Sequence, residues 1–100
     1  MRIYISGKIT GLPWEEALKK FQEAEDYLNG KYGYLQVEPI NPTKIKQIPE
    51  ATWAQCMKED IGELLNCDGI FMLKGWGESK GARIEHGIAR ELKLVVEYQS

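Results

Sequence analysis

The amino-acid sequence predicts an α/β fold, a four-stranded parallel sheet with helices on both faces. Two observations carry this. Short β-rich runs alternate with longer stretches of helical periodicity, in the order strand, helix, strand, helix, strand, helix, strand. The third run, Gly69-Ile-Phe-Met-Leu73, is continuously apolar, as a strand covered on both faces must be. Right-handed crossovers through the helices then make the strands parallel, giving a flavodoxin-like or Rossmann-like three-layer sandwich.

The elements follow in order. Arg2-Ile-Tyr-Ile5 is a short strand that ends in Ser6-Gly7, and glycine returns at Gly11. Pro13 suits a first helical turn. Trp14, Ala17, Leu18, Phe21, Ala24 and Leu28 then recur at the spacing of an amphipathic helix, which Asn29-Gly30 stops. Tyr34 to Glu38 reads as the second strand. Pro39 through Pro49 holds three of the four prolines and no periodicity, so it reads as a long loop. Thr52 with Gln55 is a capping-box pattern, followed by the apolar stripe Trp53, Met57, Ile61, Leu64 and Leu65. After the third strand, Lys74-Gly-Trp-Gly-Glu78 is a loop, Ser79 an N-cap, and a helix runs to about Leu92. Leu94 to Glu97 is the fourth strand.

The 100-residue length fits a single domain. Hydrophobic residues at 43% and charged residues at 28% are globular values, which exclude disordered, collagen-like and coiled-coil classes. Thirteen basic against fifteen acidic residues give a net charge of −2, which argues against a nucleic-acid polymer or a polybasic membrane anchor as partner. Cys56, Cys67 and the single His86 are too few for a Cys/His zinc site, so neither metal nor cofactor is expected. The initial apolar run is too short for a signal peptide, and nothing approaches a membrane span. A cytoplasmic protein is the expectation.

In parallel sheets the ligand lies beyond the carboxyl ends of the strands. Segments 6–13, 39–51 and 74–79 can therefore line a site, whereas 30–33, 66–68 and 93 lie at the opposite edge. Glu85 precedes Ile88, Ala89 and Leu92 by three, four and seven residues and shares their core-facing stripe. A carboxylate held there costs free energy unless it is paired or hydrogen-bonded. It is either a catalytic group or a helix-end carboxylate serving the dipole or a neighbouring Arg. Asp60, between Met57 and Leu64, borders a stripe in the same way; its alternative is a solvated position at the margin. Asp68 lies at the wrong edge and reads as a turn residue.

Ser6-Gly7-Lys8-Ile9-Thr10-Gly11 resembles a phosphate cradle, or else a plain glycine turn. Ser79-Lys80-Gly81, opening the last helix, is the better anion site because free N–H groups and the dipole both point there. Trp76 can stack on a base, or cap the core or an interface.

Taken together, these residues resemble the nucleoside 2-deoxyribosyltransferase-like superfamily, including the 2′-deoxynucleoside 5′-monophosphate N-glycosidases and an uncharacterised family of short bacterial and phage proteins. The phrases are Tyr4-Ile-Ser-Gly-Lys-Ile-Thr-Gly11, Asn41-Pro42, Met57-Lys-Glu-Asp60-Ile, Cys67-Asp-Gly-Ile-Phe-Met-Leu73, and Gly75-Trp76 with Ser79-Lys-Gly-Ala-Arg-Ile-Glu85. The resemblance implies that Glu85 is the nucleophile that attacks the anomeric carbon. It implies that Asp60 protonates or orients the leaving base and that Tyr4 positions the glutamate. Ser79 and the Ser6–Gly11 loop (Ser6, Gly7, Lys8, Ile9, Gly11), with Gly81 and Trp76, would hold the nucleoside or nucleotide. The transferases complete their site with a C-terminal residue of a neighbouring subunit, and the chain stops at Ser100 just after the fourth strand, which points away from base exchange. Lys8, Lys80 and Arg83 beside the two loops favour a phosphorylated substrate. A homodimer or higher homo-oligomer is expected. The alternatives are a nucleotide-binding module without turnover and a structural assembly subunit.

Overall fold

A computed structural model describes residues 1–45 and 50–100. Four strands, β1 (Arg2–Ser6), β2 (Glu38–Ile40), β3 (Gly69–Met72) and β4 (Val95–Tyr98), form one all-parallel sheet in the order β2-β1-β3-β4. Three helices cover it: α1 (Trp14–Tyr32), α2 (Trp53–Leu65) and α3 (Lys80–Glu91). This is the α/β three-layer sandwich that the alternating pattern predicts.

The pleat of β1 divides the core. Ile3 and Ile5 face α1 and pack with Phe21, Ala24, Leu28, Phe71 and Leu73. Tyr4 points the other way and packs with Leu64, Ile70, Met72, Ala82 and Ala89 beneath α2 and α3. The strand reaches Ser6, one residue further than the composition suggests. Ser6 therefore faces the same side as Tyr4.

The Thr52/Gln55 capping box forms in full: Gln55 N–H donates to Thr52 Oγ1 and Thr52 N–H to Gln55 Oε1. Ser79 caps α3, its Oγ accepting from Ala82 N–H at 3.2 Å. Asp68 accepts Arg2 N–H at 2.8 Å, the turn role expected of it at the far edge.

Four expectations need correction. The second strand is not Tyr34–Glu38 but Glu38–Ile40, because pairing with β1 sets Arg2 opposite Glu38; Tyr34 and Leu35 are fully exposed in a turn. Pro39 is tolerated because β2 is an edge strand that needs a donor on one side only. The first helix passes Asn29-Gly30 and ends at Tyr32, with Pro13 as its N-cap. Pro39–Ile40 is strand and Pro42–Lys44 a short 3₁₀ turn, so the loop is shorter than the prolines suggest; its 46–49 portion lies outside the described residues. Leu92 is exposed, so the buried stripe of α3 is Ala82, Glu85 and Ala89.

Candidate functional site

The strand order reverses between β1 and β3, and a cleft of about 610 Å³ opens beyond β1's carboxyl end. Tyr4, Gly7, Ile9 and Thr10 line it from β1 and its exit loop, and Trp14 from α1. Trp53, Cys56, Met57 and Asp60 line it from α2, and Ser79, Lys80, Gly81, Ala82 and Glu85 from the start of α3.

Two buried carboxyl groups face this cleft. Glu85 replaces an apolar residue in the stripe Ala82, Glu85, Ala89, and Asp60 does the same in Met57, Asp60, Leu64. Both helices turn those stripes toward the sheet face that carries Tyr4 and Ser6. Tyr4 OH donates to Glu85 Oε2 at 2.8 Å and Ser6 Oγ donates to Glu85 Oε1 at 2.7 Å, both buried. Each carboxylate oxygen is thus held by one hydroxyl, and two residues two apart on one strand fix the carboxyl plane. Asp60 is held differently: it is 9% exposed, and its Oδ1 is buried without a hydrogen-bond partner.

Burial dominates the electrostatics. It pushes Glu85 up to about 7; the Ser6 and Tyr4 hydroxyls oppose that rise, and the neighbouring Asp60 charge adds to it. Burial likewise raises Asp60 to about 6, with Glu59 and Glu63 contributing. Tyr4 is shifted upward by burial and then by the Glu85 charge, so it remains a proton donor to Glu85 near neutral pH. The site therefore holds two carboxyls poised near neutrality, one tightly positioned and one with an unmet acceptor. Such a pair can work as nucleophile or base and as acid.

The structure brings together Tyr4, Gly7, Ile9, Asp60, Ser79, Gly81 and Glu85 around this cleft. Ser6, Lys8, Gly11 and Trp76 are not in its lining; Ser6, expected among the groups that hold the substrate, is buried with its hydroxyl on Glu85. Lys8 faces a separate cavity with Leu12, Lys20 and Lys74. Gly11, at φ 87°, supplies the left-handed turn that carries the loop into α1. Trp76 lies in a 3₁₀ turn after left-handed Gly75, with its indole 4.3 Å from the His86 ring and close to Tyr98. It caps the core there rather than offering a face to the cleft. Arg83 is also committed elsewhere, donating to Gly77 O at 2.8 Å. Of the three cations expected near an anion, Lys80 alone lines the cleft among the described residues.

Trp14 and Trp53 are the aromatic walls the sequence reading missed. Both are about half exposed, and both open helices at the sheet's carboxyl edge, which is the signal that could have found them. Among the described residues no group of His, Cys, Asp and Glu is arranged to hold a metal ion, and no helix is long and apolar enough to cross a membrane.

Gly7 is where the backbone approaches most closely. A Cβ there would lie 2.8–3.0 Å from three side-chain carbons of Leu73, which is itself buried. Gly7→Ala is expected to cost roughly 1–3 kcal/mol through overpacking, read as a lower urea midpoint. Gly81→Ala meets chiefly the flexible Met57 thioether, at 3.0 Å. It is expected to change stability by less than about 1 kcal/mol, because that side chain can move aside.

A family model described as Domain of unknown function (DUF4406) matches residues 1–98. No curated protein and no solved structure matches the chain.

Proposed function

The chain belongs to the DUF4406 family, and we propose that it cleaves the N-glycosidic bond of a nucleotide or nucleoside, with Glu85 as nucleophile and Asp60 as acid. The observation that carries this reading is the Glu85 carboxyl, buried yet gripped by Tyr4 and Ser6 and facing a second buried carboxyl with an unmet acceptor. The resemblance of the sequence motifs to the nucleoside 2-deoxyribosyltransferase-like superfamily supports the same assignment.

The chemistry balances with these groups alone. As the bond from C1′ to the base nitrogen lengthens, positive charge grows on the sugar, and the Glu85 carboxylate stabilises it at close range. A Glu85 oxygen then bonds to C1′, and the electron pair of the broken bond leaves with the base nitrogen, which takes the Asp60 proton. Water attacks C1′, releases Glu85 and returns a proton to Asp60. Tyr4 and Ser6 keep the carboxyl plane fixed throughout. The apolar side chains of Trp14, Trp53 and Met57 suit a base, and the start of α3 with Lys80 suits a 5′-phosphate. Water as second acceptor makes the reaction a hydrolysis; base exchange would need a second base in the same cleft. A homo-oligomer is part of this reading, since Trp14 and Trp53 leave apolar surface at the cleft and Leu18 adds an exposed side chain one turn further along α1.

The test is release of free base from a panel of deoxynucleoside 5′-monophosphates and deoxynucleosides by purified protein. The pH dependence is a sharper check. Glu85 must be ionised and Asp60 protonated, so kcat/KM should rise through one apparent pKa and fall through another. With the pair at about 6 and about 7, activity is expected to peak between those values. Asp60→Asn should remove the alkaline fall. Nucleotide binding without release of any base would instead mark a binding module.

A further inference from the structure

We infer that Lys80 is a latch with two positions, one on the Trp53 indole and one on a ligand phosphate, so that phosphate capture uncovers the indole for the base. The ligand class is a nucleoside 5′-phosphate, and to that extent the inference rests on the reading above. Lys80 Nζ sits 4.7 Å from the centre of the Trp53 ring, so the ammonium covers one indole face. The contact joins the first residue of α2 to the first residue of α3, the two helix ends that flank the cleft. Among the described residues no carboxylate pairs with Lys80.

The position of Lys80 gives it a second partner. Ser79 Oγ accepts Ala82 N–H and Ser79 O accepts Arg83 N–H, which leaves the Lys80 and Gly81 N–H groups without intrahelical acceptors at the positive end of a 12-residue helix. Asp60, nine-tenths buried and lining the same cleft with Oδ1 unpartnered, independently marks it as built for a polar ligand. An anion at those N–H groups lies within reach of the Lys80 side chain, which starts from the same turn. A charge-assisted hydrogen bond to phosphate is stronger than an exposed cation–π contact, so the ammonium transfers to the phosphate. The vacated indole face is then open for stacking. Phosphate and base recognition are thereby coupled, and a phosphate-free nucleoside must displace Lys80 without compensation.

The test uses full-length protein labelled with 5-fluorotryptophan, the Trp53 resonance being assigned by its loss in Trp53→Phe. Inorganic phosphate is expected to shift that resonance saturably in the wild type and to leave it unmoved in Lys80→Met, an exposed change that keeps good helix propensity. In calorimetry on a Glu85→Gln background, Lys80→Met should weaken deoxynucleoside 5′-monophosphate binding roughly tenfold or more. Deoxynucleoside binding should be unchanged or tighter. The latch is overturned if phosphate moves the Trp53 signal equally without Lys80, or if Lys80→Met weakens nucleotide and nucleoside alike. Base release from nucleotides alongside a Trp53 signal that ignores phosphate would remove the latch and keep the reaction. Absence of both binding and cleavage would remove both.

Discussion

Glu85→Gln is expected to abolish base release, lowering kcat by at least about 10³-fold, while the protein stays folded. The amide fills the same volume and can still accept from one hydroxyl and donate to the other, so the contacts to Tyr4 and Ser6 survive in altered form. The carboxylate charge facing C1′ and the lone pair that would bond to it are both lost. Tyr4→Phe and Ser6→Ala keep the carboxylate but release one of its oxygens, and they should reduce kcat by smaller factors. That ordering distinguishes a nucleophile with two positioning hydroxyls from three equal members of a structural network. Residual activity of Glu85→Gln close to wild type would contradict the assignment.

The same carboxyl should carry a stability cost that appears as pH rises. Its folded value is raised from 4.5 to about 7. Between those two values the native state holds a proton that the unfolded chain has lost, so stability falls as pH increases and levels off above the folded value. The size of the shift corresponds to about 3 kcal/mol, present below pH 4.5 and lost by pH 8. Asp60, raised from 3.8 to about 6, adds a loss of the same sign over a lower window. Urea unfolding should therefore show the wild type weakening from pH 5 to pH 8. Glu85→Gln should weaken less and be the more stable protein at pH 8. A carboxyl kept in an apolar stripe at the expense of stability is what a site under functional demand looks like. A wild-type stability that is flat or rises across this range would show that Glu85 is well accommodated as an anion.

Much of this site was legible in the sequence because it breaks a pattern. Glu85 interrupts an apolar helical stripe; Tyr4 entered only through the family resemblance and Ser6 as part of a phosphate cradle, and it is the pleat of β1 that puts both on the face opposite Ile3 and Ile5. The alternating order of elements was sufficient for the parallel sheet, and the capping signals at Thr52 and Ser79 marked two helix starts correctly. What was not legible depends on partners distant in sequence. Tyr34-Leu35-Gln-Val37 has strand-like composition, yet the pairing of Arg2 with Glu38 places the strand after it. Trp76 and Arg83 sit beside the right loop, but a left-handed Gly75 turns the first onto His86, and Gly77 O holds the second. Lys8 follows Gly7 to the other side of its loop. Trp14 and Trp53 read as members of amphipathic stripes, and only their placement at adjoining helix ends makes them walls of a cleft.

On the proposed mechanism Glu85 forms a covalent bond to the sugar. This step is tested most directly by incubating the protein with a 2-deoxy-2-fluoro nucleoside 5′-monophosphate and measuring intact mass followed by peptide mapping. Fluorine at C2′ destabilises the positively charged sugar in both steps, and an activated leaving base on the probe keeps the first step fast enough for the intermediate to accumulate. The expected result is a mass increase equal to one fluorinated sugar phosphate, located on the peptide that contains Glu85 and absent in Glu85→Gln. Base release from the natural nucleotide with no adduct from its fluorinated analogue, or an adduct on any other residue, would contradict it.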